Sequence, residues 1–233
     1  SSENFQYRSE NAKLQITQLQ PTGAAANITA RSAYSDACRS DASNNTFVLG
    51  RLFFVQLDGT GNYFRTKNKF SNPTQLTVEA WINLNGNTGT GTEPGIVACA
   101  SGESSPEEGT WMLYLHDGNR PAFRVRENEG RGPDGYIAKL IAPMADTLSV
   151  VSDAAPITNS HGDNWTHVAA TVRNGLVTLY VNGEIVAQEL NTQSVNPRIM
   201  TSSLPVWIGV NPNFGIGAGD YLHAGIKEVK VWR

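Results

Sequence analysis

Residues 164–190, NWTHVAATVRNGLVTLYVNGEIVAQEL, contain three short alternating runs separated by Asn174-Gly175 and Asn182-Gly183. Asn-Gly is the pair that two-residue type I′ hairpins favour, because both central residues must take positive φ. The stretch therefore predicts three antiparallel strands joined by tight turns. Period two also sorts the side chains. Val168, Ala170 and Val172 share the apolar face with Val177, Leu179 and Val181, which turns His167, Thr171, Thr178 and Tyr180 the other way.

The pattern continues upstream. In LTVEAWINL, residues 76–84, Leu76, Val78, Ala80 and Ile82 alternate with Thr77, Glu79 and Trp81, as a strand covered on one side requires. GIVACAS is a shorter strand candidate, and WMLYLHDGNRPAFRVRE, residues 111–127, predicts a hairpin around Asp117 to Asn119 with Gly118 at the positive-φ position. RLFFVQLDGTGNYFRT supplies two short strands around a bend at Asp58 to Asn62, and PVWIGVN and AGIKEVKVW bracket a glycine-rich loop. YIAKLIAP and LSVVSDA can each supply a strand within the loop-rich stretch between Glu127 and Asn164. Before residue 51, LQITQLQ predicts an edge strand, and the small polar run from Ala24 to Asn45 a long connection.

Composition narrows the function classes. The 22 glycines and 11 prolines spread over 233 residues indicate many short elements and many turns, which argues against a helical bundle. With 18 Lys and Arg against 21 Asp and Glu, the chain lacks the basic excess that phosphate-backbone binding needs, so nucleic acid is not an expected partner. Apolar runs stay far below the roughly 18 residues of a membrane span, and no membrane insertion is expected. The first residues, SSENFQYRSE, hold no hydrophobic signal core. Cys38 and Cys99 are the only cysteines, equally consistent with one disulfide or two thiols. The Asn-x-Thr triplets at Asn27, Asn44 and Asn164 arise often by chance and decide nothing.

Six segments in order, VQLDGTGNYF, LTVEAWINL, NWTHVAATV, LVTLYVNGEIVA, VWIGVN and AGIKEVKVW, resemble the laminin G-like group of concanavalin A-type jelly rolls over roughly residues 50–233. The resemblance implies a sandwich of two antiparallel sheets and a secreted or surface module that binds glycans or proteins, often with a structural or bridging calcium ion. Many relatives carry aspartate in the last segment where this chain has Lys227, a departure that weakens the calcium inference from that strand.

Hydrolases of similar architecture resemble Glu-x-Asp-x-x-Glu in one strand, which sets two carboxylates on one face as nucleophile and acid/base. No such triplet occurs here, and Glu79 is the only acid on its strand. Motifs for serine hydrolases, phosphate-binding loops and dinucleotide folds are missing as well. The four histidines, His116, His161, His167 and His223, show none of the pairing that zinc sites use. No enzymatic activity is expected. Alternation instead sets Glu79, Trp81, His167 and Tyr180 outward, and the same rule turns Arg124 and Arg126 out where Phe123 and Val125 face in. Aromatic faces stack on sugar rings, and arginine and glutamate hydrogen-bond hydroxyls or carboxylates, so these six residues suit a glycan groove. The alternative is a second buried layer under the 128–160 insertion, with Glu79 paired to an arginine. For calcium, the glycine-bearing turns at Asp58 and Asp220 offer a carboxylate beside free carbonyls, or those aspartates only shape their turns.

The expectation is thus an all-β jelly-roll sandwich of two antiparallel sheets, one domain over 1–233 with a less regular cover at 1–50. Its expected role is that of a non-catalytic, carbohydrate-binding recognition module of a secreted or surface protein, with calcium at Asp58 or Asp220. A protein-binding adhesion or assembly domain is the alternative, and a polysaccharide-cleaving enzyme ranks third.

Overall fold

The computed structural model describes residues 53–60, 63–66, 69–71, 74–85, 93–100, 109–117, 119–126, 136–146, 148, 150–151, 164–191, 199–200, 203–212 and 221–232. Before residue 53 it describes the backbone of 5–8, 13–16, 19–22, 29–32, 40–41 and 46–47. Two sheets dominate. Their strands are β1 (Leu19–Thr22), β2 (Thr29–Ser32), β3 (Phe53–Asp58), β4 (Tyr63–Thr66) and β5 (Leu76–Asn85). Then come β6 (Gly95–Ala100), β7 (Gly109–His116), β8 (Arg120–Arg126), β9 (Tyr136–Ile141) and β10 (Val150–Val151). The set closes with β11 (Thr166–Arg173), β12 (Leu176–Val181), β13 (Glu184–Leu190), β14 (Val206–Ile208) and β15 (His223–Trp232).

Sheet I has eight strands in the order β13-β12-β11-β5-β15-β3-β2, with β10 also on β5, and sheet II has seven in the order β9-β8-β7-β6-β14-β4-β1. Neighbours within both are antiparallel except β10, which pairs parallel to β5 through Leu84 and Val150. This is the expected sandwich with one parallel addition. The two Asn-Gly turns form as predicted, with φ of 51° and 78° at Asn174 and Gly175 and 51° and 86° at Asn182 and Gly183. In the hairpin between β7 and β8, Asp117 takes the left-handed position at φ 49°, while Gly118 lies outside the described residues. Aspartate tolerates this region because its short polar side chain can hydrogen-bond locally.

The N-terminal stretch differs from the expectation. Leu19–Thr22 caps the edge of sheet II on β4, and Thr29–Ser32, inside the predicted long connection, caps the edge of sheet I on β3. Phe5–Arg8 pairs with Lys13–Ile16 as a separate hairpin. Outermost strands have only one paired neighbour, so they need no strong apolar alternation, and period-two counting passes over them.

One core joins the inner faces of both sheets. Sheet I contributes Leu76, Val78, Ala80, Ile82, Val168, Ala170, Val172, Val177 and Leu179, and sheet II contributes Val97, Cys99, Trp111, Leu113, Phe123, Val125 and Ile208. Each fully buried aliphatic chain stabilises the fold by about 1.5–3 kcal/mol relative to exposure. Cys99 is a free, buried thiol whose pKa burial pushes up to about 12. Cys38 lies outside the described residues.

Close approach fixes one residue type. A Cβ added to Gly95 would run into the backbone carbonyl of Val210, which has no rotamer with which to yield. Gly95→Ala should therefore lower stability by about 1–3 kcal/mol, as overpacking does. Urea unfolding checks it, and an unchanged midpoint would show that the backbone gives way there.

Candidate functional site

Register builds the outer face of sheet I row by row. Trp81 on β5 lies opposite His167 on β11 and Lys227 on β15. In the next row Glu79 stands between Lys230 and Ala169, and Ala169 is opposite Tyr180 on β12. Beyond it, Thr77, Thr171 and Thr178 line up beside Trp232. Four of the six residues singled out by alternation, Glu79, Trp81, His167 and Tyr180, thus share three adjacent strands, and all four are partly exposed. Thr178 points the same way but is buried at 2% exposure, its hydroxyl accepting from Gln188 at 2.9 Å.

Arg124 and Arg126 do not join them. Both lie on β8 of sheet II, on the opposite outer face of the sandwich. Alternation says which side of its own sheet a residue takes, and both strands obey it; it carries no information about which sheet the strand enters. Arg124 belongs to a buried layer with Tyr114, Met112, Trp207 and Ala98; most of residues 128–160, expected to cover such a layer, lie outside the described residues. Its guanidinium stands 3.3 Å from Glu93 and 5.3 Å from the Tyr114 ring. Glu93 also approaches His116 at 3.5 Å, and Asp117 pairs with Arg120 at 3.0 Å.

On sheet I, Glu79 is paired, but not to an arginine. Its Oε2 stands 3.3 Å from His167 Nε2, and its Oε1 takes Lys230 Nζ at 3.1 Å and the Trp232 indole N–H at 3.4 Å. The His167 hydrogen bond and the Lys230 charge outweigh partial burial and hold the carboxyl at about 2, against an ordinary 4.5. His167 is itself anchored by the Asn182-Gly183 turn, donating its backbone N–H to Asn182 Oδ1 at 2.9 Å and accepting the Asn182 N–H at 2.8 Å. Its ring packs against Trp81 at 5.2 Å.

Lys227, Trp165, Lys230 and Trp232 were not among the residues singled out from sequence. Strict alternation from Ile226 would turn Glu228, Lys230 and Trp232 inward. A bulge at Glu228, φ 49°, inserts one residue against β5 and sends Val229 and Val231 into the core. The signal was present in the sequence, because apolar Ile226, Val229 and Val231 break period two. Lys227 becomes a buried ammonium, 4.0 Å above the Trp165 ring and 6.0 Å from Trp81, with no hydrogen-bond partner at Nζ among the described residues. Desolvation lowers its pKa, opposed by the nearby Glu228 carboxylate.

The calcium candidates lie elsewhere. Asp58 Oδ1 accepts the Thr60 N–H at 2.9 Å and closes its own turn, while Asp220 lies outside the described residues. Among the described residues no group of three or more His, Cys, Asp and Glu side chains is placed to hold a metal. Calcium takes about six to eight oxygens, so a site at Asp58 would need further ligands, such as backbone carbonyls.

A two-sheet antiparallel sandwich is the architecture of the lectin-like jelly rolls. A family model of the concanavalin A-like lectin/glucanases superfamily matches residues 58–233, and the chain belongs to that superfamily. No curated relative matches at a significant level. Among solved structures, domain 4 of the extracellular arabinanase AbnA of Geobacillus stearothermophilus, in complex with arabinotriose, is similar with TM-score 0.54 at 14% identity, covering 93% of this chain and 82% of that one. Botulinum neurotoxin type C, whose cell entry depends on two ganglioside molecules, gives 0.55 at 12% over 98% of this chain and 46% of the toxin chain. A tailspike protein of an Escherichia coli bacteriophage gives 0.52 at 14%, over 91% and 25%.

A depressed carboxyl contributes stability above its unfolded pKa and loses it as pH falls through the folded one. The Glu79 contribution should be complete above about pH 4.5 and fade towards the folded value of about 2. Because Lys230 is 37% exposed, screening reduces it, and Glu79→Gln should cost about 1–2 kcal/mol at neutral pH. Denaturation of both proteins across pH 2–7 checks this; a gap that stays constant down to pH 2 contradicts it.

Proposed function

We propose that this chain is a non-catalytic carbohydrate-recognition module of a secreted or surface protein, and that the outer face of sheet I is its binding face. The supporting observation is the half-exposed Trp81 ring beside a carboxylate held ionised by His167 and Lys230. An indole offers a flat apolar surface to the C–H face of a sugar, and the Glu79 carboxylate, with His167, Lys230 and Trp232 on three of its roughly four acceptor positions, can still accept from one hydroxyl. Ala169, small and between Glu79 and Tyr180 in register, forms the floor between them. The similar folds bound to arabinotriose and used in ganglioside-dependent entry lend weight to a glycan ligand. No helix among the described residues is long and apolar enough to cross a membrane.

A protein-binding adhesion or assembly role has one observation in its favour. Leu176, Ile185 and Leu190, respectively 36%, 58% and 56% exposed, leave an apolar strip at the β12-β13 edge of the same sheet. A glycan array separates the two roles. Binding should fall about tenfold or more on Trp81→Ala, the loss of one stacking anchor. An array negative in calcium and in chelator, with a protein partner captured only when Ile185 and Leu190 are intact, would transfer the function to that edge.

Calcium, held near Asp58 or near Asp220, belongs to the same proposal as a stabilising ion. An ion that binds only the folded state stabilises it by about 2.7 kcal/mol at a hundredfold excess over its dissociation constant. Melting in calcium should then exceed melting in chelator by several degrees, and either Asp58→Ala or Asp220→Ala should abolish the difference. Identical midpoints for the unmutated protein remove calcium from the proposal.

A further inference from the structure

Sheet II has an outer face of different chemistry. Register places Lys139, Arg124, Met112, Ala98, Trp207 and Arg65 in one row across six strands. The described acids on this face are already engaged, Glu93 by Arg124 and Asp117 by Arg120. Arg65 differs from the other cations of the row. It is exposed, and among the described residues its guanidinium has neither an ion pair nor a hydrogen bond; its contact is the face of Trp207, 4.8 Å from the ring centroid. The platform beneath it is rigid, because Trp207 is 1% exposed and donates its indole N–H to the Ala100 carbonyl at 2.8 Å. Tyr63 packs beside Trp207 at 5.5 Å, and the half-exposed Tyr221 ring follows at 6.2 Å from Tyr63.

We propose that this face is a second binding site, specific for the carboxylate or sulfate groups of an acidic glycan, with Arg65 as the anion-binding fork. A guanidinium presents planar paired donors that match two oxygens of one anionic group, and one already held over an indole by cation–π attraction gives up less rotational freedom when the ligand arrives. The adjacent Tyr221 ring offers a surface for the sugar that carries the anion, which a free inorganic ion would not use. Attraction by the whole molecule does not explain such binding, because the formal net charge is −3 and repels polyanions. Recognition has to be local.

Affinity electrophoresis of the full chain through polygalacturonate, dextran sulfate and neutral dextran tests the site, the first two polymers separating carboxylate from sulfate as the preferred group. Retardation is expected in at least one anionic polymer, weakening with salt, and none in dextran. Arg65→Ala should weaken it by about tenfold or more. Arg65→Lys should weaken it nearly as much, because a lysine keeps the charge without the fork. Trp81→Ala should leave it unchanged, which separates this site from the face of sheet I. The side chain is exposed, so the melting temperature of either Arg65 variant should match the unmutated protein. Full retardation of Arg65→Ala, equal retardation in dextran, or no retardation in either polyanion would each overturn the proposal.

Discussion

The strand Leu76–Asn85 carries the constraint on which the rest depends, because it is paired on both sides and turns its apolar side chains to the core and Glu79 and Trp81 to the outer face. Leu76, Val78, Ala80, Ile82 and Leu84 enter the shared core at no more than 2% exposure. A one-residue slip would move all five to the surface and draw Glu79 and Trp81 into the interior, exchanging apolar burial for a desolvated carboxylate. The same register therefore stabilises the sandwich and presents the candidate binding residues, and neither can shift without the other.

On its β15 side the register contains one irregularity, and much of the polar chemistry of sheet I follows from it. The extra residue at Glu228 restores Val229 and Val231 to the core after Ile226 and turns Lys230 and Trp232 onto the outer face, where both reach Glu79. Just before the bulge, Lys227 lies over the Trp165 ring and, at 6.0 Å, at the edge of contact with Trp81. Its ammonium lies 4.0 Å from the Trp165 ring, in a setting where cation–π attraction replaces part of the lost hydration.

The two outer faces of the sandwich have diverged in burial. On sheet II a second layer of Tyr63, Met112, Tyr114 and Trp207 is almost wholly buried, and Arg124 is drawn into it with Glu93 as counter-ion. On sheet I, Glu79, Trp81, His167 and Tyr180 remain partly exposed, and Glu79 is paired laterally with His167 and Lys230. Buried ion pairs gain little net stability over apolar contacts but fix geometry, because removing one partner leaves an uncompensated charge. The arrangement gives each face one polar residue of defined orientation, Glu79 on one and Arg65 on the other.

Much of this was legible in the residues alone. The Asn-Gly turns at 174–175 and 182–183, the alternation in β5, β11 and β12, and the outward placement of Glu79, Trp81, His167 and Tyr180 all follow from φ preferences and period two, which act within a few residues. Even the bulge was written in the spacing of Ile226, Val229 and Val231. Only the tertiary structure decided that Arg124 and Arg126 lie across the core from Trp81, that Thr29–Ser32 is an edge strand, and that Arg65 rests on Trp207 from a strand more than a hundred residues away. Local sterics and alternation determine how a strand runs and which side is apolar; which strands become neighbours is set by how two sheets bury their apolar faces together, a property of the whole chain.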